Sequence, residues 1–455
     1  MPLQKNEIIS LTIDTISSDG NGLGRYNGQA VFVPYTAVGD VLRVKIVKPC
    51  ASYAFGIIDS IDVPGAGRVP SGCGIYTKCG GCCMRHMNYA AELQAKQCFV
   101  ADAMQRIGGV SVPVSPILAS PQENGYRNKV QYPLTVDENG NVCAGFFAGR
   151  SHRVIPCPSC ALQPDILTDI VNSVCALLTR FHVSVYREEA HKGLLRHIYL
   201  RHAVTTGKVM VCLVLCGKNL PHCAEIVQEL TADYPCIETI LLNINTKNTN
   251  VILGEECLAV YGNGLLQDTL SGVPVQLHPL SFYQVNTRGA EQLYAVAAKL
   301  ADIKPEDTLL DLYCGAGTIG LSMARQCKKL IGVEIVPAAI ESAKNNAAAM
   351  GIQHAEFFCA DAGAAAQKLE QDGLRPDVII LDPPRKGCDN DTLQAVLHMQ
   401  PCRIVMVSCN AATAARDVKT LCTNTPYTVK AIQPVDMFPR TKHVETVVLM
   451  SRGDI

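Results

Sequence analysis

Between residues 8 and about 62 apolar and polar positions alternate in four short runs, IISLTIDTI, QAVFVPY, DVLRVKIVK and AFGIIDSI, separated by glycine-bearing turns such as Asp19-Gly-Asn-Gly-Leu-Gly24 and Val38-Gly39-Asp40. Alternation turns one side of each strand toward a core, and this spacing predicts a small β-barrel. Val63-Pro-Gly-Ala-Gly-Arg-Val-Pro70 has the composition of a linker, and a cysteine-rich knuckle follows at 73 to 83. A helical period runs from Tyr89 to about Gly108, and a mixed region then reaches about residue 275 with strands such as KVMVCLVLC and ETILLNIN. From Asp307 onward strands (TLLDLY, KLIGVEI, EFFCAD, DVIILD, RIVMVSC) alternate with helices, one of them opening at Thr318 and another running from Pro337 to Met350; VKAIQPVDMF and ETVVLMS end the chain. Pro337 at the start and Gly351 just past the end fit the usual asymmetry of helix termini. The expected architecture is multidomain: a small N-terminal β-barrel, an α+β central region with the knuckle, and a C-terminal Rossmann-like α/β domain whose mostly parallel sheet is covered by helices.

At 455 residues, 48% hydrophobic and 18% charged, the chain has material for several cores. The opening MPLQKNEIISLTID mixes polar and apolar residues, and no run of about 18 apolar residues could cross a bilayer, so the expectation is a cytosolic protein without a membrane partner. Twenty-two cysteines without a secretory context argue for thiols with a metal-binding or catalytic subset rather than a disulfide framework; Cys98, Cys175, Cys212, Cys216 and Cys327 sit among apolar neighbours as small core residues. A net charge of −1 gives no global attraction to nucleic acid, so an RNA partner needs local patches. Candidates are Arg43, Lys45 and Lys48, and Arg127 with Lys129, although each is more often an ordinary solvated face. No obligate protein partner is implied.

Ligands of open α/β sheets sit at the carboxyl ends of the strands, where Asp311, Glu334, Asp361, Asp382 and Cys409 all fall. The loop Asp311-Leu-Tyr313-Cys-Gly315-Ala-Gly317-Thr-Ile-Gly320 satisfies a dinucleotide fingerprint, and alone does not separate NAD from S-adenosylmethionine. Glu334 is placed to accept hydrogen bonds from ribose hydroxyls and Asp361 to address an adenine. Asp382-Pro383-Pro384, with no hydride-transfer constellation in sight, favours the methyl donor. Each acid taken singly is about as well explained as a helix cap.

Cys409 ends the apolar run RIVMVSC. It is either a buried strand cysteine, the commoner fate, or a nucleophile. A thiolate adding to position 6 of uracil makes position 5 enolate-like, and a base must then remove the position 5 proton so that the thiol can leave. Glu445, in Pro439-Arg-Thr441-Lys-His443-Val-Glu445, is the candidate base. In the knuckle, Cys73-x5-Cys79-Gly-Gly-Cys82 supplies three thiols and needs a fourth ligand, for which Cys160 is preferred over Cys157 and Cys83. Spacing leaves zinc and a [4Fe-4S] cluster equally open.

With these motifs in hand, the chain resembles the RNA uracil-5 methyltransferases, in the branch similar to the 23S ribosomal RNA (uracil-5-)-methyltransferases that carry an iron-sulfur cluster. The resemblance covers nearly the whole chain. It implies a TRAM RNA-binding barrel at 1–62, a central iron-sulfur and RNA-binding domain at 63–90 and 120–275, and a methyltransferase domain at 91–119 and 276–455. It implies [4Fe-4S] ligands Cys73, Cys79, Cys82 and Cys160, and a nucleophile and base at Cys409 and Glu445. Ser281-Phe-Tyr-Gln284-Val-Asn286 matches the family's Phe-x-Gln-Val-Asn element, so Gln284 joins Tyr313, Gly315, Gly317, Glu334, Asp361 and Asp382 as S-adenosylmethionine contacts. Arg127 would lie near a base flipped out of the RNA. Ribosomal RNA is the expected substrate and transfer RNA the main rival. A radical enzyme with a TRAM domain and a non-catalytic RNA-binding protein stand further off.

Overall fold

The computed structural model describes residues 3–149 and 151–453. The chain forms two compact units, each assembled from separate stretches: one from the chain up to Glu123 with Pro383–Cys388 and the chain from Val405, the other from Asn124–Asp382 and Asp389–Ile404.

In the first unit the alternating runs form a six-stranded sheet in the order Ile8–Thr12, Val41–Pro49, Tyr53–Val63, Gln29–Pro34, Asn21–Tyr26 and Thr15–Ile16. Their inward residues, among them Val31, Val33, Leu42, Val44, Ile46 and Ala54, lose all contact with water. Three register shifts bend Val41–Pro49 against Tyr53–Val63, which is how a short sheet curls. One expectation is corrected here: part of the segment read as a glycine turn is the strand Asn21–Tyr26. Gly22 and Gly24 lie where a Cβ would meet Thr36 Oγ1 at 1.9 Å and the Thr12 carbonyl at 2.1 Å, so glycine serves close packing rather than turning. The linker is tied down as well, since buried Asp40 accepts from the Gly65 amide (2.8 Å) and pairs with Arg68 (2.5 Å).

The helical period becomes Tyr89–Arg106, capped by Asn88, whose side chain accepts from the Ala91 amide. Its buried face carries Ala95, Phe99, Val100 and Met104, but also Glu92 and Lys96. Farther along, Val405–Ser408 ends the strand Arg403–Ser408, which is followed by the helix Ala411–Cys422 and by the antiparallel pair Tyr427–Val435 and Glu445–Arg452.

The second unit holds a seven-stranded sheet in the order Glu256–Tyr261, Ile237–Ile244, Val209–Leu215, Leu195–His202, Lys129–Val136, Val142–Phe147 and Val154–Pro156. The helices Asp165–Arg180 and Cys223–Asp233 pack into the core of one of its faces. It also holds parallel strands in the order Ala355–Cys359, Lys329–Glu334, Thr308–Leu312 and Val378–Leu381. The helix expected from Thr318 is short, Thr318–Met323, and the helix Pro337–Ala349 is followed by Gly351 at φ +68°, as the Pro–Gly pattern predicted. Among the described residues no helix is long and apolar enough to cross a membrane.

Candidate active site

In the second unit the strand Thr308–Leu312 delivers Asp311 and then the glycine loop. Tyr313, Gly315 and Gly317 all take left-handed backbone, φ +67°, +55° and +77°. A Cβ on Gly315 would meet nothing within 4 Å, so the loop opens a cradle there. Gly320 is needed for packing, because its amide donates to Asp311 Oδ2 at 2.9 Å and a Cβ would sit 2.8 Å from that oxygen. Glu334 turns one carboxylate oxygen to the Gly315 amide (3.2 Å) and the other to Val336 (3.0 Å). The Tyr313 hydroxyl is 3.3 Å from Thr392 Oγ1.

The electrostatics of this cradle are one-signed. Burial pushes the Asp311 carboxyl up to about 8, with Asp382 and Glu334 adding to the rise. Asp382 is pushed up to about 7 by burial, although part of it stays accessible. Asp311 Oδ1 is buried without a hydrogen-bond partner. No ion pair among the described residues includes Asp311, Glu334 or Asp382, so no cation of the unit neutralises them. An orphaned buried carboxylate oxygen and an open glycine cradle fit a cationic nucleotide-like ligand such as S-adenosylmethionine.

Gln284 sits in a segment held from two sides. Asn128 donates to the Gln284 carbonyl (2.8 Å) and to Thr287 Oγ1 (2.9 Å), and Arg201 donates to the Ser281 carbonyl (2.8 Å). These supports were not singled out from sequence; their only signal there is a polar or charged residue inside an otherwise strand-like run. Asp361 is the cap of the helix Ala362–Gln371, accepting from Gly363 and Ala364.

In the first unit Cys409 stands between the strand Arg403–Ser408 and the helix Ala411–Cys422, at a helix N-terminus that favours negative charge. Asn410 caps that helix and donates to the Arg385 carbonyl at 3.1 Å, while Arg416 and Asp417 hold the Lys386 carbonyl and the Cys388 amide. The loop that follows Pro383-Pro384 is thereby fixed to the helix behind Cys409. Glu445 is buried and begins a strand next to Arg403–Ser408 in the sheet order. Close by in sequence, His443 is pushed down to about 4 by burial and by Arg385, Lys442 and Lys96, so its ring is neutral near pH 7.

Cys73, Cys79 and Cys82 lie in a loop without regular structure, where the Gly81 amide points at Cys79 Sγ (3.4 Å). The amides of Cys83 and Met84 donate to the Arg440 carbonyl at 3.0 and 3.1 Å. In the second unit, Cys157 is buried and its thiol lies 3.0 Å from the Ser159 carbonyl, while Cys160 is partly exposed. Among the described residues no group of three or more His, Cys, Asp and Glu side chains is arranged to hold a metal ion.

Residues 88–453 match the family described as tRNA (Uracil-5-)-methyltransferase, and residues 2–58 match the TRAM domain. A protein of Clostridium tetani named an uncharacterized RNA methyltransferase is 41% identical over 451 residues, spanning 99% of this chain and 98% of that protein. Another with that description, from Halalkalibacterium halodurans, is 38% identical over 450 residues, with the same coverage. Among solved structures, the Pyrococcus abyssi tRNA (uracil-54, C5)-methyltransferase in complex with S-adenosyl-L-homocysteine aligns with a TM-score of 0.78 and 26% identity over 97% of this chain and 100% of that one.

Proposed function

The chain belongs to the tRNA (uracil-5-)-methyltransferase family, and from that premise we propose that it methylates uridine at C5 in 23S ribosomal RNA, in the cytoplasm, through a covalent adduct between Cys409 and C6. The covalent step is supported by the position of Cys409, at a strand end and a helix N-terminus, with Glu445 opening the neighbouring strand.

The target base leaves the stack, because C6 of a stacked uracil is closed to a thiol. Cys409 then forms a bond to C6, and the electron pair of the 5,6 double bond moves to C5 and O4. S-adenosylmethionine, when bound, supplies the electrophilic methyl group that C5 takes up. Gln284, Tyr313, Gly315, Gly317, Glu334, Asp361 and Asp382 would hold and orient it, the carboxylates favouring its positive charge. Glu445 removes the C5 proton, the double bond re-forms, and the thiolate leaves.

Cys73, Cys79, Cys82 and Cys160 would hold a [4Fe-4S] cluster. In favour stand the donor set, three thiols within ten residues around a Gly-Gly pair, and the amide directed at Cys79 Sγ. Such a cluster would cross-link the loop and supply no step of the reaction.

A second reading, transfer RNA as substrate, is favoured by the name of the Pyrococcus abyssi neighbour. RNA carrying 5-fluorouridine separates the two, since fluorine cannot leave C5 as a proton. With S-adenosylmethionine, a denaturing gel should show a slow-migrating adduct with ribosomal RNA that is lost in Cys409→Ala; an adduct only with transfer RNA would move the substrate. Glu445→Gln should accumulate adduct even on ordinary RNA. An active Cys409→Ala protein would remove the covalent mechanism.

A further inference from the structure

We propose that Tyr294 is a positioning residue of the cofactor site: its buried hydroxyl ties the Gln284 side chain to Thr318, just past the glycine loop, and so sets the Gln284 amide to receive the amino-acid end of S-adenosylmethionine. The proposal rests on that molecule being the ligand of the cradle and on Gln284 touching it.

Tyr294 is carried by the helix Thr287–Ala301, which Asn286 caps by accepting from the Gly289 amide at 2.9 Å. The cap fixes the helix register just after Gln284, and about two turns later that register turns Tyr294 inward. After Gly289 the rest of the buried face is Ala290, Leu293, Ala297 and Ala301, so packing there calls for a ring at 294 but for no hydroxyl. The hydroxyl is present all the same. Tyr294 is 3% exposed and its oxygen lies 3.0 Å from Thr318 Oγ1.

A phenol donates one hydrogen bond and can accept another, and a buried one needs both uses filled. With Thr318 on one side, the Gln284 side chain acts on the same oxygen as a donor. Burial raises the Tyr294 pKa, and Asp382 and Asp311 nearby add to the rise against the opposing pull of Thr318 and Gln284, so the phenol keeps its proton. Holding the amide nitrogen in this way leaves the Gln284 carbonyl oxygen for a ligand, and that oxygen serves only a donor. S-adenosylmethionine offers three kinds of donor: the adenine amine, the ribose hydroxyls and the ammonium of its amino-acid end. Asp361 and Glu334 are the proposed acceptors for the first two, which leaves the third to Gln284. A phenylalanine at 294 would fill the same space but free the amide to turn its nitrogen toward that ammonium, donor against donor.

The test is calorimetric titration of the full chain with S-adenosylhomocysteine, which keeps the amino-acid end, and with methylthioadenosine, which lacks it. Tyr294→Phe should weaken the first about tenfold, the worth of roughly one buried hydrogen bond, and leave the second within about twofold. Thr318→Val should weaken S-adenosylhomocysteine in the same sense, and Thr318→Ser, which keeps the hydroxyl, should hold the parent affinity. The double variant of Tyr294→Phe with Thr318→Val should lose less than the two single losses multiplied, because both remove the same bond. Equal losses for the two ligands, or fully multiplied losses in the double variant, would overturn the proposal. So would a lowered urea midpoint in Tyr294→Phe with S-adenosylhomocysteine affinity intact, since the hydroxyl would then serve the core alone. If Tyr294→Phe does not fold, the Thr318 pair decides: equal S-adenosylhomocysteine affinity in Thr318→Val and Thr318→Ser overturns it. A parent protein that binds neither ligand would overturn the cofactor reading itself, whereas a parent that binds both, unaffected by either substitution, overturns only the role of Tyr294.

Discussion

Each unit buries a set of charges, and the two sets are built in opposite ways. In the first, Lys96 reaches Glu92 at 2.7 Å and Asp436 at 2.8 Å, all three fully buried, and donates to the Phe438 carbonyl. Arg440 adds a second cation: its backbone amide donates to Glu92 (2.7 Å), its guanidinium pairs with Glu123, and its carbonyl takes the two amides of the cysteine loop. Each buried charge has an opposite one beside it. In the second unit Asp311 is buried and Asp382 partly buried, near Glu334, with no cation of the unit beside them, and their carboxyls rise to about 8 and about 7. Acids that close on a cation inside the chain hold structure together; acids left open stay largely protonated near pH 7 and ionise more readily when a ligand of the opposite sign is beside them.

Breaking the closed set should therefore cost stability and breaking the open set should cost binding. The largest effect is expected from Lys96→Ala, which leaves Glu92 and Asp436 buried without their shared cation, at a cost of about 3–5 kcal/mol. Urea titration monitored by circular dichroism should show the first unit unfolding far earlier. Asp382→Asn keeps the shape and removes an ionisable group whose charge no cation of its unit balances. Its unfolding midpoint should match or exceed that of the parent, while calorimetry should show S-adenosylmethionine affinity reduced tenfold or more. A destabilised Asp382→Asn protein with intact binding would dissolve the contrast.

Legibility followed the same division. The glycine loop, the strand-end acids and Cys409 could be read because they interrupt apolar runs whose period is unmistakable, and the sheet that carries them follows from that period. The closed charge set could not. Glu92 and Lys96 look like an ordinary solvated i, i+4 pair, and their burial depends on Asp436 more than 300 residues away in sequence. The strand Asn21–Tyr26 was hidden because glycines that permit close approach and glycines that permit turning are the same letter. The interleaving of the two units is equally invisible to periodicity, which sees elements and not their partners. Asp361 fits the cap reading that sequence left open, and its capping bonds leave a ligand role to be tested.

A smaller effect sharpens the open set. In the cofactor-free chain Asp382 is mostly protonated below about pH 7 and ionised above it. S-adenosylmethionine carries a sulfonium charge that prefers the carboxylate, and S-adenosylhomocysteine carries none there. Affinity for the first relative to the second should rise as pH passes from about 6 to 9, Asp382 carrying the lower part of the rise and Asp311 the upper, a severalfold change visible by calorimetry. Asp382→Asn should remove the lower part of that rise and leave the part that belongs to Asp311.

The smallest effect concerns a third way of burying a titratable group, which is to keep it neutral. His197 in the second unit is 5% exposed and neither ring nitrogen has a hydrogen-bond partner. Burial, with Arg196 beside it, pushes its pKa down to about 4, below the ordinary value of 6.5. Between those two values the unfolded chain holds a proton that the folded chain refuses, so folding stability is fully present above about 6.5 and falls as pH drops toward 4. The shift limits this contribution to about 3 kcal/mol. His197→Phe carries no proton, so its urea midpoint should decline less steeply than that of the parent over this window while the two run parallel above pH 7. Parallel curves throughout would mean that His197 gains a proton partner inside the fold, placing it with the closed charges of the first unit.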